Sequence, residues 1–202
     1  MNLRMGALAW TATLLLSGCA GMRSLTSDVS SFGEWPAGKT PGTYAFERLP
    51  SQQARAAESD AVESSARAAL QKAGFKAAEA GKEPDVLVQV GARDGLATVQ
   101  PWDDPLWWRG GFGYWRHGPW GSPRWGLGVG YGPGSFPRYE REVALLIRDR
   151  SSGKPLFEAR ASSEGNTRAD TPILGAMFEA ALVDFPRVGV NPRRVVVEVP
   201  AQ

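Results

Sequence analysis

The sequence has only one cysteine and one histidine, Cys19 and His117, among 202 residues. A single cysteine leaves no disulfide partner within the chain. A single histidine excludes a multi-histidine metal site within one chain, and the cysteine–histidine pairs of nucleophilic enzymes need both residue types within reach. Because these side chains are scarce, we predict a protein that is not an enzyme and that has no cofactor and no metal ion.

The sequence also lacks an excess of charge of either sign. The 23 lysines and arginines nearly balance the 21 aspartates and glutamates, and the formal net charge is +2. Nucleic-acid-binding domains concentrate basic charge, so this balance predicts no nucleic-acid partner. After the first 18 residues, no apolar run approaches the ~20 residues that a transmembrane helix needs.

What the sequence does have is a short apolar run near its start. Arg4 precedes an apolar run over residues 5–16, which has the length of a signal-peptide core. The next residues, Leu16, Ser17, Gly18 and Cys19, resemble a bacterial lipobox. That resemblance implies cleavage before Cys19, a lipid on its thiol and acylation of its new amino group. The alternatives are an ordinary secretory signal with an incidental cysteine, or a buried thiol.

Domain boundaries follow from this start. We predict a signal peptide over residues 1–18 and a lipidated N-terminus with a linker over residues 19–31, where side chains are small and polar without a period. The remaining residues, 32–202, have the length of a single domain. A lipid on Cys19 would make the membrane a partner of this domain.

A formal phosphate-binding-loop pattern covers residues 33–40, from Gly33 to Gly38-Lys39-Thr40. The pattern has this meaning only between a strand and a helix. Here the preceding residues are polar, and Pro41-Gly42 is followed by residues that favour a strand. We therefore predict that this segment does not bind a nucleotide.

Two segments of the first half have clear periodicity. Residues 43–49 are aromatic and β-branched and predict a strand, and residues 51–74 carry one apolar stripe of helical spacing. Asp60 and Glu63 have the spacing of a capping box, and Gly74 before Phe75 is typical of a helix C-cap. The alternating valines after Pro84-Asp85 predict a strand over residues 86–90.

The second half predicts a hairpin, a helix and a strand. Residues 142–148 and 156–161 alternate around turn residues, Asp170-Thr171-Pro172 is a helix start, and residues 195–199 read as a last strand. The order predicts an α+β fold with a largely antiparallel sheet and two helices packed on one face. Six residues are expected to share its core: Leu70, Val88, Leu145, Phe157, Phe178 and Leu182.

Residues 98–138 interrupt this pattern as an insertion rich in tryptophan, glycine and proline. Aromatic rings of this kind stack on sugars, pack at lipid interfaces or bind proteins. We predict a contact surface for an envelope glycan or protein; the alternatives are a satellite core and a loosely ordered hairpin extension. Six of the eight tryptophans lie here: Trp102, Trp107, Trp108, Trp115, Trp120 and Trp125.

The same insertion contains the only candidates for catalysis. His117 and the adjacent pair Asp103-Asp104 would serve a weak hydrolase or a metal-dependent enzyme. A lone histidine in a loop is more simply a solvated residue, and adjacent aspartates beside prolines are more often turn formers. The enzyme therefore remains the second hypothesis.

The ordered segments together resemble the bacterial envelope lipoproteins of the family of domain of unknown function 4136. The resemblance implies the α+β fold, brings no established activity or catalytic residues, and makes Ala20 compatible with sorting to the outer membrane, facing the periplasm. Phe157 stands where tryptophan is common in the family, and Ser152 where threonine usually precedes Gly153. The motifs that carry the resemblance are Lys39-Thr40 to Phe46, Ala73-Gly74-Phe75, Pro84-Asp85-Val86-Leu87-Val88, Asp149 to Phe157, and Val183-Asp184-Phe185-Pro186.

Overall fold

A computed structural model describes residues 23–96 and 139–199 of the chain. These residues form an α+β fold with a mixed sheet of seven strands and three helices. The strands are β1 (Arg23–Gly33), β2 (Thr43–Phe46), β3 (Lys76–Ala77), β4 (Val86–Leu96), β5 (Tyr139–Asp149), β6 (Pro155–Gly165) and β7 (Arg193–Val199). The helices are α1 (Pro50–Gln53), α2 (Ala56–Lys72) and α3 (Thr171–Leu182).

The strands follow the order β3-β2-β4-β5-β6-β1-β7 across the sheet. Pairing is antiparallel from β4 to β7, as the sequence predicts. β2 departs from the prediction, because it runs parallel to both β3 and β4. The reason is the connection: α1 and α2 follow β2, and a helical crossover returns the chain in the same direction.

The first strand corrects the predicted linker. Residues 23–31 belong to β1, which pairs with β6 on one side and with β7 on the other. Leu25, Ser27, Val29 and Ser31 alternate inward and are buried, so half of the inner positions are small and polar. A short serine side chain fills little of the core. Because serine is polar, the alternation of apolar and polar residues that predicts a strand is missing here.

The start of α2 also differs from the prediction. The helix begins at Ala56, so Asp60 and Glu63 lie inside it rather than forming a capping box. Both carboxylates instead bind Arg48, with Nε to Glu63 Oε1 at 2.5 Å and Nη2 to Asp60 Oδ1 at 2.5 Å. The predicted end is confirmed: Gly74 has a φ of 96°, and Phe75 N–H donates to Leu70 C=O at 3.0 Å.

The hairpin and the last helix agree with the sequence. β5 and β6 are adjacent and antiparallel, with Val143 opposite Ala161. Asp170 caps α3 by accepting a hydrogen bond from Ile173 N–H at 2.9 Å, and the side chain of Pro172 occupies the first turn, where a missing N–H costs nothing.

One core joins the sheet to the two long helices. α2 and α3 contact each other, and both supply buried residues to the same cluster. The six predicted core residues all belong to it. At its edge, Phe185 packs against three other rings, with centroid distances of 4.8 Å to Trp35, 5.1 Å to Phe75 and 5.1 Å to Phe157. These rings tie the segments after β1, α2 and α3 to β6.

Candidate binding surface

The residues that the sequence singles out for function lie outside the described residues. This holds for the lipobox residues Leu16, Ser17, Gly18 and Cys19. It also holds for the catalytic alternative, His117 with Asp103-Asp104, and for the six tryptophans of residues 98–138. What the fold supplies is the position of the chain segments that flank them.

Those flanking segments meet at one end of the sheet. Leu96, the last residue of β4, is paired directly with Tyr139, the first residue of β5, and Tyr139 is paired with Gly165 at the end of β6. β1 is antiparallel to β6, so its first residue, Arg23, lies at the same end, opposite Val199 of β7. We call this end of the strands the Arg23 end of the sheet.

One side of the sheet beside the Arg23 end is polar. Residues directly opposite each other on neighbouring strands share a face. Glu142 of β5 lies opposite Ser162 of β6, which lies opposite Asp28 of β1, and Asp28 lies opposite Arg194 of β7. These four residues define what we call the polar face.

A shallow cleft of about 350 Å³ opens on the polar face near the Arg23 end. Two of its carboxylates, Glu140 and Glu164, are direct cross-strand partners, a placement of like charges that disfavours the pairing of β5 with β6. The lining residues are Thr26, Asp28, Glu140, Ser162, Ser163, Glu164 and Arg194.

Charge on the polar face is organised in cross-strand pairs. Arg194 Nε lies 3.6 Å from Asp28 Oδ1, and Arg93 of β4 forms an ion pair with Glu142. Burial raises the pKa of Glu142 above its usual value, and the Arg93 guanidinium opposes that shift. The carboxylates of Asp28, Glu140 and Glu164 outnumber the guanidinium of Arg194, so the cleft is acidic.

The described residues do not supply a set of metal ligands. Among residues 23–96 and 139–199, no group of three or more His, Cys, Asp or Glu side chains is arranged to hold a metal ion.

The segment with the phosphate-loop pattern is held in place by internal contacts. Lys39 Nζ donates to Asp149 Oδ2 at 2.9 Å, and Trp35 Nε1 donates to the Lys39 carbonyl at 2.7 Å. β2 follows this segment rather than the helix that a phosphate-binding loop requires. The lysine thus joins the β1–β2 connection to the β5–β6 turn.

The sequence did not identify the cleft residues as functional. Glu140 and Glu142 alternate along β5 with Arg141 and Val143, so a period of two was present. That period gives the face of a residue within its own strand. It does not say that Asp28, more than 100 positions before Glu140, and Arg194, about 50 positions after Glu142, complete the same surface.

Comparison with known families identifies the chain. The sequence profile of the family described as "Domain of unknown function (DUF4136)" matches residues 28–187. The match covers every described element except the start of β1 and all of β7. The chain belongs to this family, as its sequence motifs indicate.

A comparison with curated proteins finds no similar protein. Among solved structures, the chain is similar to a PDZ domain protein from Parabacteroides distasonis ATCC 8503, with 15% identity and a TM-score of 0.50. The similarity covers 95% of this chain and 42% of that protein, and it concerns the fold alone.

Two structures of the PelC dodecamer from Paraburkholderia phytofirmans are also similar. Their identities to this chain are 12% and 14%, and their TM-scores are 0.37 and 0.36. In each case the similarity covers 77% of this chain and 94% of the other.

Among the helices of the described residues, none is both long and apolar enough to cross a membrane.

Proposed function

We propose that this protein is a lipid-anchored module of the bacterial cell envelope, held at the outer membrane through Cys19, that binds an envelope glycan or protein without catalysis. The observation that carries the proposal is the lipobox-like sequence Leu16-Ser17-Gly18-Cys19, and the early start of β1 keeps its connection to the domain short. Arg23 is already part of the sheet, and only residues 20–22 separate it from Cys19. A chain that gains at most ~3.6 Å per residue spans about 14 Å over these four steps.

This short connection has a consequence for orientation. A lipid on Cys19 would hold the Arg23 end of the sheet close to the membrane surface, instead of letting the domain move on a long tether. Leu96 and Tyr139 lie at the same end, so the segment between them would leave and re-enter the domain near the lipid headgroups. Tryptophan favours such an interface, where its ring meets apolar chains and its N–H meets polar groups.

A second part of the proposal concerns the sides of the sheet. We infer that α2 and α3 cover the same side and leave the polar face for a partner. The shared core supports this inference, because residues of both helices pack with Val88, Leu145 and Ala159. Leu145 and Ala159 are direct cross-strand partners, and Val88 lies on the same face of the neighbouring strand. The charges of the polar face would then remain accessible.

The rival hypothesis remains an envelope hydrolase or metal-dependent enzyme that uses His117 or Asp103-Asp104. It is favoured by no contact among the described residues. A turnover that co-purifies with the protein and is lost in His117→Ala would support this rival and contradict the binding proposal.

Photocrosslinking in intact cells tests the binding proposal. A photoreactive residue is placed at Trp115, within the aromatic segment, and in a matched control at Glu79, whose side chain is 75% exposed in the turn after β3. We expect one reproducible adduct, with an envelope protein or a glycan, from position 115 only. No adduct at position 115, or the same adducts from both positions, would contradict the proposal.

A further inference from the structure

Strand β7 forms an edge of the sheet as the structure describes it. Within the described residues β7 pairs with β1 on one side, and its other side has no neighbouring strand. An edge strand presents N–H and C=O groups to any strand that approaches in register. Val196, at the middle of this strand, is 63% exposed on the polar face.

Two oppositely charged residues and two prolines are placed at equal distances on either side of Val196. Arg194 and Glu198 lie two positions before and after Val196, and Pro192 and Pro200 lie four positions before and after it. Proline has no N–H to donate to a ladder, so the two prolines limit pairing to residues 193–199. Val196 is the midpoint of that range.

A second copy of this strand fits that symmetry. We propose that two copies of the chain associate through their β7 edges, antiparallel and related by a two-fold axis at Val196, so that the two sheets become one. In this register each Arg194 lies opposite Glu198 of the partner subunit, and Val196 lies opposite its own copy. Opposite charges across such a pair are favourable, and the contact is the self-complementary kind on which symmetric dimers are built.

Other registers lose this match. A continuous sheet keeps the polar faces of both copies on the same side. The register can therefore shift only by two residues at a time, because a shift of one residue would place side chains of different faces opposite each other. Centring the pairing on Val195 places Arg194 opposite the partner's Val196, and centring it on Val197 places Glu198 opposite the partner's Val196. The register centred on Val196 is therefore favoured both by full overlap and by charge.

The pairing also constrains how a dimer would lie on a membrane. Arg23 lies opposite Val199, so antiparallel β7 strands separate the two Arg23 residues by about 20 Å along the strand direction, for six steps of ~3.3 Å. Two short tethers reach the same surface when the strands run along it. The dimer proposal rests on β7 alone and does not depend on lipidation.

A disulfide at the symmetry axis tests the proposed register. The full chain carrying Cys19→Ser is purified in detergent, and Val196→Cys then supplies its only thiol. Directly opposed residues in an antiparallel pair have Cα atoms ~4.5–5.5 Å apart, within the range that a disulfide bridges. The matched control is Val190→Cys, because Val190 is 81% exposed and lies outside the strand. We expect rapid conversion of the Val196→Cys chain to a linked dimer, and slow random linkage in the control; equal rates would overturn the proposal.

Charge reversal tests the same contact without a covalent bond. Arg194→Glu and Glu198→Arg should each weaken dimerisation on the order of tenfold, because two like-charge pairs replace two attractive ones. The double variant should restore it. The contact of Arg194 with Asp28 within one chain is lost in both Arg194→Glu chains, so restoration must come from the partner's residue 198. A monomeric parent chain in sedimentation equilibrium, or a double variant no tighter than the single ones, would overturn the proposal.

Discussion

Leu96 and Tyr139 are direct cross-strand partners, although residues 97–138 separate them along the chain. The pairing of β4 with β5 therefore continues up to the residues where the aromatic segment begins and ends. The described part of the ladder thus extends to the two residues that border this segment. This relationship separates the packing of the domain from the function proposed for the segment.

Deleting residues 98–138 should therefore leave the domain folded. Ala97 followed by an inserted Asn-Gly gives a three-residue loop between the paired residues Leu96 and Tyr139, a length common in hairpins, so the β4–β5 ladder should form without the segment. We expect far-UV circular dichroism that retains the mixed helix and strand signal, and a cooperative thermal transition. Loss of the cooperative transition would mean that the segment belongs to the core and would remove the support for a binding role.

Phe178→Ala should lower the free energy of unfolding by about 3–5 kcal/mol, the usual range for a buried aromatic ring. Phe178 has no exposed surface and belongs to the core between the sheet and the helices. Urea unfolding measures the change. Val190→Ala, at a position that is 81% exposed, is the control and should change stability little. Equal stability of the two variants would show that α3 does not face the core as described.

Asn191→Ala tests a hydrogen-bonded extension of the β1–β7 ladder. The Asn191 side chain accepts from Ser31 N–H at 2.9 Å and donates to Ser31 C=O at 2.6 Å, at the position where the ladder would continue. The substitution leaves the buried Ser31 backbone without these partners, which costs about 1–3 kcal/mol. Asn166→Ala, at an exposed position, is the matched control. A similar change in both variants would contradict this role.

Stability toward acid should depend on Asp149. Hydrogen bonds from Ser151 and the ammonium of Lys39 hold the pKa of this carboxyl well below its usual value. A depressed pKa means that the unfolded chain binds more protons, so this contribution to stability is complete above the unfolded pKa of about 4 and is lost as pH falls toward the folded pKa.

The free energy of unfolding, measured in denaturant between about pH 2 and pH 5, should therefore fall less steeply in Asp149→Asn than in the parent chain. Glu79→Gln is a suitable control, because Glu79 is 75% exposed and pairs with Lys82 within one turn. An unchanged slope in Asp149→Asn would show that the turn does not favour the ionised carboxylate.

The sequence was informative where a single element buries one apolar face. Val86, Val88 and Val90 alternate, and they are buried in β4. The stripe of α3 that contains Phe178 likewise lies in the core. In such elements the side-chain period and the burial have the same cause, so the period alone gives the inner face.

The sequence failed where distant partners decide the structure. β1 reads as a linker because Ser27 occupies an inner position, and β6 and β7, which stabilise this strand, lie more than 120 residues away. Asp60 and Glu63 have the spacing of a cap, but Arg48 uses them as ion-pair partners. The acidic cleft on the polar face was missed for the same reason, because four strands from both halves of the chain build it.

Lipidation of Cys19 is the central claim, and mass spectrometry of the protein isolated from outer membranes tests it most directly. We predict a mature chain that begins at Cys19, with a thioether-linked diacylglycerol on its thiol and an acyl group on its amino terminus. Cys19→Ala is the control and should remain unprocessed or leave the membrane. A chain that retains residues 1–18, or that carries an unmodified Cys19 thiol and fractionates without detergent, would contradict the account.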